Sequence, residues 1–260
     1  MDFALAGKRA FISGSTEGIG YAVAQACARE GMSVVLNGRS AQRVDDAVTR
    51  LRESAHGDVS GIVADFADPA QVQALLGELG TVDVLVNNVG LFDVAPFAET
   101  PDDEWQRYFE VNVMSGVRLS RHVLDAMLTR GWGRIIFIGT ESAVDVPSDM
   151  IHYGASKAAA LALSNGLAKL TRGTAVTVNT VLGGPTYTDG VARTVEQIAS
   201  ARSIAPEALK SALVRGSSLI QRFIEPGEIA NLVAYLASPL SSATNGAALR
   251  ADGGVLPTVV

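Results

Sequence analysis

Tyr153 and Lys157 stand four residues apart in HYGASK, on what reads as one helical face. A phenol loses its proton near pH ~10 and an ammonium near ~10.4. A cation fixed beside a phenol favours the phenolate, so such a pair can trade protons nearer neutral pH with the tyrosine as acid–base group. The same spacing arises on ordinary helix surfaces, so the pair gains meaning only from what accompanies it.

A second chemical element is the glycine turn SGSTEGIG, where Gly14, Gly18 and Gly20 follow a short apolar run and open a helical stretch. Glycines allow a tight turn and let a pyrophosphate approach backbone N–H groups, and the helix N-terminus adds partial positive charge. Ser15, Thr16 and Ile19 lie in the same turn. The spacing is G-x-x-x-G-x-G, unlike the G-x-G-x-x-G of other dinucleotide folds.

SGSTEGIG, NNVG at 87–90, Asn112 and YGASK at 153–157 occur in the order and at the separations of one known family. The sequence resembles the short-chain dehydrogenase/reductase family, and it does so over nearly its whole length, from GKRAFISG to TNGAALRADGG. The resemblance implies a nicotinamide-dependent oxidoreductase that interconverts a carbonyl compound and an alcohol. It implies that Tyr153 gives a proton to the carbonyl oxygen, or takes one from the alcohol, and that Lys157 lowers the tyrosine pKa and binds the nicotinamide ribose. Asn112 matches the asparagine that holds a water linking the lysine to solvent; in an apolar helix it could also satisfy a local kink. Asn88 and Gly90 match the segment lining the cofactor.

The family usually has a serine thirteen residues before the tyrosine, and here Thr140 stands there. It keeps the hydroxyl that orients and polarises the substrate oxygen, and adds a β-methyl that restricts χ1. Ser142 is the competing assignment. At the end of the second strand an acidic residue would favour NAD, but the chain reads Asn37, Gly38, Arg39, and Arg39 can pair with a 2′-phosphate. Glu17 in the glycine turn works against that phosphate. NADP(H) is expected over NAD(H). Asp65, followed by Phe66, resembles the adenine-contacting aspartate, with helix capping as its other use. After the sixth strand Gly183 replaces a common proline, and Gly184, Thr186 and Thr188 are expected at the nicotinamide and diphosphate, or as helix caps.

Around the reacting carbon the resemblance places Leu91, Phe92, Thr140, Ser142, Val144, Val146, Met150 and Tyr187. The set is mostly apolar, which points to a hydrophobic ketone or secondary alcohol. A sugar or polyol dehydrogenase using NAD and a non-catalytic nucleotide-binding protein are the alternatives. His152 is expected to face a pocket rim or a neighbouring subunit and to take no part in catalysis. The apolar stripe after Tyr153 implies a homodimer or homotetramer.

The elements that must position these residues follow from composition and pattern. The chain has 260 residues, 48% hydrophobic and 18% charged, enough for a substantial core. A net charge of −6 with no basic run argues against nucleic acid or an anionic membrane as partner. The single cysteine, Cys27, excludes an internal disulfide and reads as a packed thiol. His56, His122 and His152 are scattered, with no metal-site spacing. The N-terminus shows no secretory signal and no apolar run suffices to span a bilayer, so a cytoplasmic protein is expected.

Apolar runs at 9–13, 33–37, 60–64, 83–87, 134–138, 175–179 and 247–251 alternate with helical stretches. That rhythm predicts an α/β fold: one Rossmann-type domain over 1–260, a doubly wound sheet of about seven parallel strands. The segment between the last two runs is longer than one crossover needs, and its first part, 186–216, is the expected substrate lid.

Overall fold

Strands apolar on both faces are stable only between two helical layers, and the chain builds that sandwich. A computed structural model describes residues 2–202 and 204–259. In chain order the elements are β1 (Arg9–Ile12), α1 (Gly18–Arg29), β2 (Ser33–Gly38), α2 (Ala41–Arg52), β3 (Val59–Val63), α3 (Pro69–Leu79), β4 (Val84–Asn87), α4 (Asp102–Phe109), α5 (Ser115–Arg130), β5 (Trp132–Thr140), α6 (Ile151–Leu170), β6 (Ala175–Gly183), α7 (Asp189–Arg202), α8 (Pro206–Ala212), α9 (Pro226–Ala237) and β7 (Ala248–Ala251). The strand order is β3-β2-β1-β4-β5-β6-β7, all parallel, the seven-stranded sheet that the pattern predicts. Its order reverses between β1 and β4, and a ligand crevice forms beyond the carboxyl ends of the strands at such a point.

Alternation along β1 shows how the layers are held. Ala10 and Ile12 pack on one side with Val23 and Cys27 of α1 and Val233 of α9. Phe11 between them packs on the other side with Leu75 of α3 and Leu119 of α5. Each fully buried side chain of this size contributes about 1.5–3 kcal/mol. Cys27 is buried and its thiol is pushed up to about 12 by that burial, which makes it an inert packing group.

Three features serve the crevice. β5 and β6 outrun their apolar centres and stay paired as far as Thr140 and Gly183, which brings two loops side by side. α4 and α5 are joined by a π turn at Glu110–Met114, with Asn112 buried in its middle; such turns recur at functional sites. Between β6 and β7, α7 and α8 pack on one another through Val195, Ala199 and Leu209, a small core separate from the two main ones. Among the described residues no helix is long and apolar enough to cross a membrane.

Candidate active site

The glycine turn is shaped by neighbours on both sides. Gly14 and Gly18 have φ of +61°, where a side chain is strained. At Gly20 a Cβ would press on the Gly14 carbonyl oxygen and lie 2.5 Å from Asn88 Nδ2. Asn88 leaves β4 and donates through Nδ2 to the carbonyls of Ser13 (3.0 Å) and Gly14 (2.8 Å). From the other side Asn37, fully inside, accepts the Gly14 N–H at 3.0 Å and donates to the carbonyls of Ile62 and Ala64. Ser15 turns inward too: its hydroxyl donates to Ile12 O at 2.7 Å and accepts the Asn37 N–H at 2.9 Å. Its hydroxyl therefore builds the turn and does not face the crevice. Ile19 and Gly20 do line it, with Glu17.

At the β2 end Arg39 is exposed. A Cβ on Gly38 would lie 2.6 Å from Thr16 Cγ2, so an acidic side chain cannot enter there unless Thr16 moves. Glu17 is not the bare repulsive charge its position suggests. Arg193 of α7 reaches both of its oxygens at 3.1 Å and Arg43 stands 3.6 Å away. Exposed pairs of this kind add little stability, but they neutralise the carboxylate. Asp65 accepts the Ala67 N–H at 2.9 Å and closes its own turn; α3 is capped by Asp68, which excludes the capping role for Asp65. The Phe66 side chain is buried in the core and leaves only backbone for a ligand.

The reacting end lies where α6 crosses the exits of β4 and β5. Tyr153 and Lys157 line one cleft of about 380 Å³ with Gly90, Phe92, Thr140, Glu141, Ser142, Met150, Gly184, Thr186 and Thr188. Lys157 is buried and donates to Ile138 O at 3.1 Å; burial pushes its ammonium down to about 8. Asn112 holds the chain leaving β4: Oδ1 accepts the Leu91 N–H at 2.7 Å, and Nδ2 donates to Leu91 O at 3.0 Å and to Ser156 Oγ at 2.9 Å.

Two expectations change here. Burial pushes the Tyr153 phenol up to about 12, and Glu141 reinforces the shift; the nearby cation that acts against it is Arg215, not Lys157. The Thr140 hydroxyl would pull the phenol down only by donating to it, and its one hydrogen is given to Glu141 Oε2 at 2.6 Å, so burial wins. For the same reason Thr140 does not polarise a carbonyl oxygen as a donor; toward the cleft it presents lone pairs. Glu141 also accepts from Ser142 Oγ at 3.2 Å and pairs with Arg215 at 3.3 Å, with its side chain only 4% exposed.

The cleft is thus less apolar than the sequence suggests. Phe92 and Met150 line it, joined by Val191, Leu213 and Phe223, but Leu91, Val144, Val146 and Tyr187 do not. Tyr187 packs on Phe223 at 5.6 Å and carries Lys210 over its ring. Glu141 and Arg215 enter instead, and nothing in the local sequence marks either, since their partnership spans two distant loops. Thr188 accepts the Val191 N–H at 3.3 Å and so caps α7, and Thr186 donates to Gly184 O at 2.8 Å. Asp189 of the same segment accepts the Gly18 N–H at 3.0 Å. His152 faces neither rim nor solvent; it is buried with its ring 4.2 Å from Tyr108 and 6.2 Å from Trp105.

Comparison with known proteins agrees with this geometry. The family described as short chain dehydrogenase matches residues 8–199. The chain is 43% identical over 263 residues to the uncharacterized oxidoreductase YvaG of Bacillus subtilis (strain 168), covering 100% of both. It is 29% identical over 259 residues to a D-beta-hydroxybutyrate dehydrogenase of Cupriavidus necator, covering 96% of this chain and 98% of that one. L-sorbose reductase from Gluconobacter frateurii, solved with NADPH and L-sorbose, superposes with a TM-score of 0.95 at 32% identity over 100% of both chains.

Proposed function

The chain belongs to the short-chain dehydrogenase/reductase family and is a nicotinamide-dependent oxidoreductase acting on CH–OH and C=O groups, and from that premise we propose that it is an NADP(H)-dependent ketone reductase with Tyr153 as proton donor. The observation that carries this is the meeting, in one cleft at the carboxyl ends of the strands, of a glycine cradle with Tyr153, Lys157 and Thr140. The cradle suits a dinucleotide. Bare backbone is required at Gly20, where a Cβ would press on the Gly14 carbonyl and Asn88, and the N-terminus of α1 opens beside it.

Gly14, Thr16, Gly18, Ile19 and Gly20 would hold the diphosphate and adenosine ribose, Asp65 and the Phe66 backbone the adenine, and Asn88, Gly90, Gly184, Thr186 and Thr188 the nicotinamide half. Lys157 would hold the nicotinamide ribose. When bound, the nicotinamide supplies the hydride to the substrate carbon. Tyr153 gives its proton to the carbonyl oxygen, and a phenol held protonated by burial is in the right state for that task at neutral pH. Lys157 keeps a second proton one helical turn away, and Asn112 positions Leu91 and α6 around it.

NADP(H) over NAD(H) is supported by three features: Arg39 free to meet a 2′-phosphate, Gly38 closed to an acidic side chain, and Glu17 neutralised by Arg193 and Arg43. The NADPH named with the similar L-sorbose reductase supports it too. The segment 186–216 serves as the substrate lid. Titration of the purified protein with NADPH and NADH, followed by nicotinamide fluorescence, tests the cofactor: NADPH binds more tightly if Arg39 meets the phosphate, and tighter NADH contradicts it. Consumption of NADPH by none of a panel of ketones, ketoses and aldehydes would contradict the reductase assignment.

A further inference from the structure

At the reacting end Glu141 is engaged by three protein groups at once. An ionised carboxylate only accepts hydrogen bonds, and a hydroxyl has a single hydrogen to give. Thr140 gives its hydrogen to Oε2 at 2.6 Å and Ser142 gives its own to Oε1 at 3.2 Å. Arg215, carried on the loop after α8, closes the set at 3.3 Å from Oε1. Thr140 Oγ1 also accepts the Ser142 N–H at 3.2 Å, which leaves it one lone pair, and Ser142 Oγ keeps two. Two hydroxyls that could have donated to a substrate therefore face the cleft as acceptors. Donors to the cleft include Tyr153, the ammonium of Lys157 and the remaining N–H groups of Arg215.

We propose that Glu141 is a specificity-determining positioning residue: by holding the hydrogens of Thr140 and Ser142 it adapts the cleft to a hydroxylated ketone, whose hydroxyl groups beside the reacting carbon donate to those two oxygens. Resting on the assignment of Tyr153 as the proton donor, this names the substrate class of the same site. A bare ketone has no hydrogen to offer, so it leaves both buried acceptors unpaired, and that costs affinity. The apolar wall of Phe92, Met150 and Leu213 then meets the carbon skeleton. Arg215 keeps the carboxylate paired, so the cleft carries no net charge from this set and suits a neutral substrate better than an acid.

The test compares two four-carbon ketones, 1,3,4-trihydroxybutan-2-one and butan-2-one, by calorimetric titration into the NADPH-loaded protein and by kcat/KM. The hydroxylated ketone binds and reacts better by a factor on the order of ten or more, as expected for two additional hydrogen bonds. In Glu141→Gln, whose amide offers hydrogens of its own, the ratio falls toward one while NADPH affinity is unchanged. Ser142→Ala, which leaves the Thr140–Glu141–Arg215 set intact, lowers the ratio in part and through KM. A ratio of one or less in the native protein, no binding of either ketone, or a ratio unmoved in both variants overturns the proposal. Failure of the Tyr153 assignment is separate: it appears as turnover that survives Tyr153→Phe, whatever the ratio.

Discussion

Lys157 Nζ comes up against the backbone of Gly90: a Cβ there would lie 3.2 Å from Nζ, a tight approach, and 3.4 Å from Asn112 Oδ1. The ammonium is thus buried among backbone and an amide, its Nζ bonded to Ile138 O.

That burial has a cost that pH can read. Lys157 falls from 10.5 to about 8 in the folded chain, so between those values the unfolded chain binds more protons and stability rises with pH. Below pH 8 the folded protein carries the full penalty, on the order of 3 kcal/mol. Lys157→Met should therefore melt higher than the native protein at pH 7, with the gap closing between pH 8 and 10.5. Tyr153 and Cys27 titrate upward of their usual values and lower stability at alkaline pH, but they are common to both proteins and cancel in the difference. A gap independent of pH would mean that Lys157 is not held in a penalised state.

Thr140 and Ser142 share Glu141 but differ in their reach toward Tyr153. Thr140→Ala leaves the buried Glu141 carboxylate short of a donor beside the phenol and should lower kcat about tenfold to hundredfold, with Thr140→Ser restoring most of it. Ser142→Ala should act mainly on KM. Equal losses of kcat, or the reverse ranking, would give the serine the central place.

The glycine turn is the least forgiving part of the site. A methyl at position 20 meets the Gly14 carbonyl and Asn88, groups already fixed by hydrogen bonds. Gly20→Ala should cost about 1–3 kcal/mol of stability and weaken NADPH binding, read by thermal unfolding and fluorescence titration. Unaltered values in both would show that the turn yields easily.

Arg39 should distinguish the two nicotinamides. Loss of a charge-assisted contact to the 2′-phosphate in Arg39→Ala should weaken NADPH on the order of tenfold or more, and leave NADH unchanged because it has no phosphate there. Equal effects on both would assign the phosphate to other side chains, Arg43 and Arg193 being near.

What is legible in the sequence is whatever depends on neighbours along the chain. The apolar runs mark the strands because burial on both faces demands them in the middle of the sheet, while the edge strands β3 and β7 are partly exposed, and Tyr153 with Lys157 shows its spacing on one helix. Asn37 reads only as a missing acid, although it braces the glycine turn from the adjacent strand. Glu141 and Arg215 lie 74 positions apart and meet only once the loop after α8 folds against the end of β5; no local pattern announces a pair of that kind. The same holds for Glu17, which from sequence alone is a bare charge facing the phosphate and in the fold is paired with Arg193 from α7. The end of β5 likewise conceals the direction of the Thr140 hydrogen, which changes that residue from donor to acceptor.

The most direct test of the central claim is the turnover of Tyr153→Phe beside its affinity for NADPH. Removing one hydroxyl from a half-buried ring that lines the cleft leaves the packing intact. The proton-donor role predicts a fall in kcat of about 10²–10⁴-fold with the NADPH dissociation constant unchanged. Turnover within a few fold of the native protein, with NADPH still bound, would contradict it and would place the proton elsewhere in the cleft.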